Sequence, residues 1–515
     1  MTDQPPIVLG AGGVSELDVI AVARHDRPVV LGDDAKSALE RGAAVVEQLV
    51  GSPEPVYGVS TGFGALASTV IPPRRSAELQ TALIRSHAAG IGGEVEREVV
   101  RAMMLLRARS LAMGFSGARV QVVEAILALL GAGITPVVRE HGSLGASGDL
   151  APLASAALVL LGEGEATQRD GTLIDGVAAC REAGVAPLVL RAKEGLALIN
   201  GTDGMLGMLV LALADLDALL TTADIAGAMS TEALLGTDRA FAADLVAMRP
   251  QVGQAVSAAN LRALLQGSAI VASHRHGDDR VQDAYSLRCT PQVHGAARDT
   301  VQHARAVAGR ELLSFIDNPV VLPDGRVESC GNFHGAPVAA VADFLAISIA
   351  DVGAISERRT DRLLDRTRSH GLPPFLSPDA GVNSGLMIAQ YAQAAMVAEN
   401  RRLAVPASAD TLPTSAMQED HVSLGWSAAR KLRVAVANLA RILAVELLAG
   451  SWGLALRAPL APATATGAVA DAVRLVAGGP GPDEWLGPRL AAVEQLVLAG
   501  AVRAAADSAL TSPLR

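Results

Sequence analysis

Residues 142–152 read Gly142-Ser143-Leu144-Gly145-Ala146-Ser147-Gly148-Asp149-Leu150-Ala151-Pro152, and the triplet Ala146-Ser147-Gly148 at their centre can react with itself. Attack of the Gly148 amide nitrogen on the Ala146 carbonyl closes a five-membered ring. Loss of two waters turns Ser147 into a dehydroalanine and leaves an imidazolone with an exocyclic methylidene, a strong electrophile. Each residue type has a reason. Ala146 is small, Ser147 carries the hydroxyl that must leave, and Gly148 permits the backbone angles and close approach that ring closure needs. The same triplet also suits an ordinary loop, so its surroundings decide.

The chain has 515 residues, more than one ordinary core, with 50 % hydrophobic residues and a net charge of −10. Its mean hydropathy is +0.33. No uninterrupted apolar run reaches the roughly 18 residues of a membrane span; the best, Met205–Ala214, is broken by Asp215 and Asp217. No charged-then-apolar leader opens the chain. A cytoplasmic protein without membrane contact is expected. Its apolar excess then calls for burial between subunits, since obligate interfaces resemble a core cut in half. No basic cluster interleaved with aromatics suggests nucleic acid. Arg358-Arg359 and Arg401-Arg402 read as solvated or inter-subunit charges. Cys180, Cys289 and Cys330 are too widely spaced for a metal or disulfide pattern.

Strong helix formers dominate. Helical apolar spacing recurs over 77–87, 94–112, 120–131, 205–218, 338–359, 387–403 and 428–448. Short strand-like runs sit early, at 7–9 and 28–31. The expected organisation is a mixed region over 1–200 with the Tyr57 loop and the triplet, a long-helix bundle and oligomer core over 201–458, and a helical extension over 459–515.

Outside the triplet, polar motifs stand out against this apolar background. Tyr57 opens Tyr57-Gly58-Val59-Ser60-Thr61-Gly62-Phe63-Gly64, and Tyr285 lies in Gln282-Asp283-Ala284-Tyr285-Ser286-Leu287-Arg288. A tyrosine becomes a base at neutral pH only if its value falls from near 10. Beside them stand Arg85-Ser86-His87, Asn200-Gly201-Thr202-Asp203, Gly331-Asn332-Phe333-His334-Gly335 and Gln418-Glu419-Asp420-His421. Taken singly, each reads as a packing, turn or capping residue.

Together, from about Val56 to Gly425 and in matching order, these blocks resemble the aromatic amino acid ammonia-lyase family. The resemblance implies a mainly α fold, a long central helical bundle of the ammonia-lyase/fumarase-like type, in a homotetramer whose active sites draw on three subunits. It implies that Ala146-Ser147-Gly148 form 4-methylidene-imidazol-5-one autocatalytically, with no external cofactor. Tyr57 would remove the β-proton and Tyr285 would move protons near the electrophile. Arg288 would fork onto the substrate carboxylate. Asn200 and Gln282 would orient that carboxylate and the ring carbonyl, Asn200 as a donor to developing charge, and Phe333 would wall the pocket. Many relatives carry Asn at the position of Ser60 and His at that of Ser155.

Substrate choice rests on His87 and Glu419. His87 suits any polar ring. Glu419 can accept from an imidazole N–H but would be desolvated beside bare phenyl. L-Histidine is therefore the expected substrate and trans-urocanate the product, the first step of histidine degradation. A tyrosine-specific lyase or an aminomutase is the alternative.

Two further signals point elsewhere and are set aside. Ile7–Gly13 imitates a dinucleotide fingerprint, but Ser15 stands where the third glycine belongs and no βαβ unit is expected to follow. His274-Arg275-His276-Gly277-Asp278-Asp279 imitates a metal site without the supporting ligands; no metal is expected.

Overall fold

The computed structural model describes residues 5–52, 54–278 and 280–515. Helices dominate and occur where the apolar spacing marks them: Ser76–His87, Arg97–Ala112, Val120–Ala132, Asp203–Ala233, Ala336–Leu364, Met387–Leu403 and Gly425–Leu456. Burial all round accompanies the length of one of the longest. Asp203–Ala233 extends well past the 205–218 pattern because its residues are apolar almost all round and buried on nearly every face.

The described chain forms two compact units, each assembled from separated stretches. The first comprises the chain up to Leu211 with Arg305–Asp343 and Pro406–Arg430. It holds all the described strands, none longer than four residues. Ile7–Leu9 pairs in parallel with Val29–Leu31, and the helix Glu16–His25 connects them. The start of the chain is thus a minimal βαβ unit, contrary to the sequence expectation. Ser15 is not a displaced fingerprint glycine. It caps the helix, accepting from the Asp18 amide while Asp18 accepts from Ser15.

Three helices of this unit pack against one another: Ser76–His87, Leu150–Leu160 and Glu194–Ile199. Their ends carry residues expected at the site. The first finishes on His87, the second follows the Ala146-Ser147-Gly148 triplet, and the third runs directly into Asn200.

The second unit comprises Ala212–Ala304, Phe344–Val405 and Lys431–Arg515, and its described residues form helices joined by loops, with no strand. Arg359 corrects the reading of its pair as surface charges. It is fully buried, its guanidinium forked onto Glu446 at 2.5 and 2.9 Å, and Glu446 also accepts from Ser230 and Ser356. The C-terminal stretch forms helices Thr464–Ala477, Leu486–Leu498 and Ala501–Asp507, which pack on one another.

Two helical stretches, 194–233 and 336–364, are long and apolar enough to cross a membrane by composition, unlike the uninterrupted-run criterion applied to the sequence. Their apolar windows are 78 % and 61 % buried inside the protein, as expected of core helices.

Candidate active site

The triplet sits in a tightly closed loop. Gly145 and Gly148 form an isolated bridge, with the Gly148 amide 3.4 Å from the Gly145 carbonyl. Ser147 has φ 50° and Gly148 φ 83°, both left-handed. A Cβ on Gly148 would lie 2.1 Å from the Gly201 carbonyl oxygen, so no larger residue fits there. Ser143 pins the loop from inside, donating to Asp149 at 3.1 Å and accepting from the Gly145 amide at 3.2 Å.

Asp149 anchors the loop to the core. Its carboxyl oxygen accepts from the amides of Gly204 and Met205, both at 2.9 Å, and its own amide donates to the Gly201 carbonyl at 2.7 Å. Burial pushes its carboxyl up to about 7, opposed by the Met205 amide and the Ser143 hydroxyl.

Ser147 borders two cavities. The first, about 600 Å³, is lined largely by apolar residues such as Leu66, Leu79, Leu83 and Leu196, together with Tyr57, His87 and Glu419. The second, about 580 Å³, shares Tyr57, Ser147 and Glu419 but is more polar, with Ala146, Phe333, His334, Gln418 and His421 on its walls. The His334 and His421 rings stack there, 5.8 Å apart and 5° from parallel.

Tyr57 rides on a loop whose valines, Val56 and Val59, pack with Val46, Ala192 and Val321. Its ring meets Phe63 edge-on at 6.3 Å, and its hydroxyl accepts from the Gly64 amide at 3.3 Å. Burial raises its value above the ordinary tyrosine range. The Gly64 amide opposes this, while the negative charges of Glu419 and Asp317 add to it. Within this unit, then, the field runs against a phenolate base.

His87 ends its helix with Nδ1 3.0 Å from the Leu83 carbonyl. That contact assigns the proton to Nδ1 and leaves Nε2 as an acceptor. Burial holds the ring below the ordinary histidine value and so keeps it neutral, against the Leu83 carbonyl and the Glu419 charge.

Glu419 is held in a clasp. Its Oε2 accepts from Thr414 Oγ1 at 2.7 Å, and its backbone bridges Thr414 in both directions. Between the two lie Ser415, Ala416 and Met417, with φ 50°, 50° and 72°. Three successive left-handed non-glycine residues are strained backbone. Ser415 Oγ accepts from the Ala65 amide at 3.1 Å and ties this clasp to the Tyr57 loop.

Asn200 is fully engaged on its donor side. Its Nδ2 donates to Asp317 Oδ1 at 3.0 Å and to the Asn318 carbonyl at 2.7 Å. The donor role expected of it is therefore taken up by protein partners. Neither Asp317 nor its partner Lys193 stood out in the sequence. The only trace was an acid set between the apolar Phe315-Ile316 and the Asn318-Pro319 turn.

Gln282, Tyr285 and Arg288 belong to the second unit, and none of them lines either cavity. Tyr285 is 71 % exposed. The Arg288 guanidinium lies 4.6 Å from the Tyr285 ring centroid, and its Nε donates to the Asp283 carbonyl at 2.9 Å.

The two departures from the family pattern are locally satisfied. Ser60 Oγ accepts from the Val56 amide and Ser155 Oγ donates to the Ala151 carbonyl, both at 3.0 Å. In the His274 run, the His274 ring meets the Gly236 carbonyl and Asp278 pairs with Arg280; Asp279 lies outside the described residues. Among the described residues no three His, Cys, Asp or Glu side chains are grouped to hold a metal.

The profile of the aromatic amino acid lyase family matches residues 15–475. The chain is 60 % identical over 511 residues to a histidine ammonia-lyase of Streptomyces coelicolor, covering 99 % of each. Among solved structures it is similar to tyrosine aminomutase from Streptomyces globisporus (TM-score 0.92, 35 % identity, 99 % of this chain and 100 % of that one). It is also similar to histidine ammonia-lyase from Trypanosoma cruzi (TM-score 0.89, 37 % identity, 98 % and 96 % covered). With the profile spanning most of the chain and the relative matched end to end, this protein belongs to the aromatic amino acid lyase family.

Proposed function

We propose that the protein is a histidine ammonia-lyase, eliminating ammonia from L-histidine to give trans-urocanate, and that it works in the cytoplasm as a homotetramer with shared sites. One observation carries the substrate: Ser147 opens onto a cavity that holds two hydrogen-bond acceptors, His87 Nε2 and the Glu419 carboxylate. A protonated imidazole, whose two ring nitrogens both donate, can supply an N–H to each. A phenyl ring supplies none and would leave Glu419 desolvated.

The triplet fits the 4-methylidene-imidazol-5-one that family membership implies. Its loop is already closed between Gly145 and Gly148, and the Gly148 position excludes a side chain. That group supplies an electrophile which makes the substrate amine a competent leaving group. The protein's own residues do the rest. Tyr57 takes the β-proton as a phenolate, His87 and Glu419 hold the ring, and the apolar walls keep water out. Arg288, a planar fork, is suited to the substrate carboxylate. In the shared site it comes from another copy, and its charge is of the sign needed to lower Tyr57.

The test is to incubate purified protein separately with L-histidine, L-tyrosine and L-phenylalanine while following ammonia and the near-ultraviolet absorbance of the acrylate product. Turnover of histidine alone is expected. Turnover of tyrosine without histidine would overturn the substrate, and β-amino acid accumulating in place of acrylate would make the protein an aminomutase.

A further inference from the structure

Lys193 Nζ donates to Asp317 Oδ2 at 2.8 Å, and both side chains are fully buried. A buried ion pair is costly to desolvate and often adds no stability over apolar residues of the same size. Lys193 also holds a left-handed backbone, φ 66°. The elimination described above uses neither residue, yet Asp317 adjoins two residues that the family resemblance assigns to the site.

The first is Asn200. Turning its amide over would set the carbonyl oxygen against Asp317 Oδ1 and the Asn318 carbonyl, two acceptors, so the observed orientation is the only one that bonds. Its Oδ1 is left buried without a protein partner. Arg107 locks the two backbones together, donating to the carbonyls of Asn200 at 2.9 Å and Ile316 at 2.8 Å. The second is Tyr57, which feels the Asp317 charge.

We propose that Lys193 and Asp317 are positioning residues. Asp317 fixes the Asn200 amide so that Oδ1 is presented as an acceptor for the substrate ammonium or amine, and Lys193 balances the Asp317 charge beside Tyr57. The inference rests on the ammonia-lyase reading for the substrate and on geometry for the rest. The other titratable groups around Tyr57 are Glu419 and His87 in the ring cavity, and Cys330, Asp420, His334 and His421 in the polar one, Cys330 donating to the Asp317 carbonyl at 3.5 Å. None of them is altered by changing the pair.

The experiment compares Lys193→Gln, Asp317→Asn, Lys193→Arg and the double variant Lys193→Gln/Asp317→Asn. Tyr57 is titrated by phenolate absorbance, each protein minus its Tyr57→Phe counterpart; the chain has only three tyrosines, which makes the difference readable. Lys193→Gln should move the Tyr57 titration, and the acid limb of kcat/KM, up by about one pH unit. Asp317→Asn should move both down by about one unit, and Lys193→Arg should restore them. Shifts in the same direction, or none, would overturn the charge-balancing role.

Should a single variant fail to fold, the double variant removes both charges at once. It should retain the tetramer with KM for histidine raised about tenfold, the loss of one charge-assisted hydrogen bond. An unchanged KM would overturn the role assigned to Asn200. Because the absorbance titration needs no turnover, opposite shifts in a protein inert toward histidine would sink the substrate reading alone.

Discussion

The residues expected to act together fall into two sets that the fold treats differently. On the first unit, the side chains of Tyr57, His87, Asn200 and Glu419 each have a defined hydrogen-bond partner within that unit, although Asn200 lines neither cavity beside Ser147. On the second unit, Tyr285 stands 71 % exposed, and Arg288 is held only by a carbonyl of its own segment and by stacking on Tyr285. In the first set every side chain is hydrogen-bonded and none is fully exposed, whereas in the second Tyr285 stands in solvent. An exposed Tyr285 is what the proposed sharing of sites between copies calls for.

The most severe way to break this contrast is Ser147→Ala. Turnover should vanish with the tetramer intact by light scattering, and the intact mass should show no loss of water. Mixing complements it. Ser147→Ala chains co-expressed with Tyr285→Phe chains should regain histidine turnover that neither shows alone, and failure to do so would mean the two sets do not share a site across copies. Tyr57→Phe should lower kcat by about 10²- to 10⁴-fold, the usual weight of a general base, with KM little changed. Glu419→Gln should lower kcat/KM for histidine by about 10- to 100-fold, as expected for a hydrogen bond to a charged group, and leave assembly unaffected. The smallest effect concerns stability. The folded value of Asp149 is raised to about 7, so its contribution is full below the ordinary carboxyl range and is lost as pH rises through about 7. Thermal melts of the wild type should decline over that window, and Asp149→Asn should flatten the decline.

Much of this was legible before any coordinates. Helical segments followed from apolar spacing because burial on one face leaves a periodic trace. The triplet, Tyr57, His87, Phe333 and Glu419 were found through motifs, and they do gather around two cavities. What sequence missed has a common cause. The Lys193–Asp317 and Arg359–Glu446 pairs join residues 124 and 87 positions apart, and a charge in an apolar stretch looks the same whether it faces water or a distant partner. The two strands at the start were legible, but the helix Glu16–His25 between them was not, so the βαβ unit that they make was missed. The orientation of the Asn200 amide is a property of its neighbours and has no local signature.

The clasp that carries Glu419 has a use beyond this substrate. Ser415, Ala416 and Met417 all hold angles that only glycine adopts without strain, so the segment resembles a drawn spring whose tension sets where the carboxylate sits. A glycine at 416 would slacken it while taking only one methyl group from the cavity wall and leaving Glu419 itself unchanged. Ring preference could then be retuned through the backbone alone, a route to new substrates that leaves the chemistry in place.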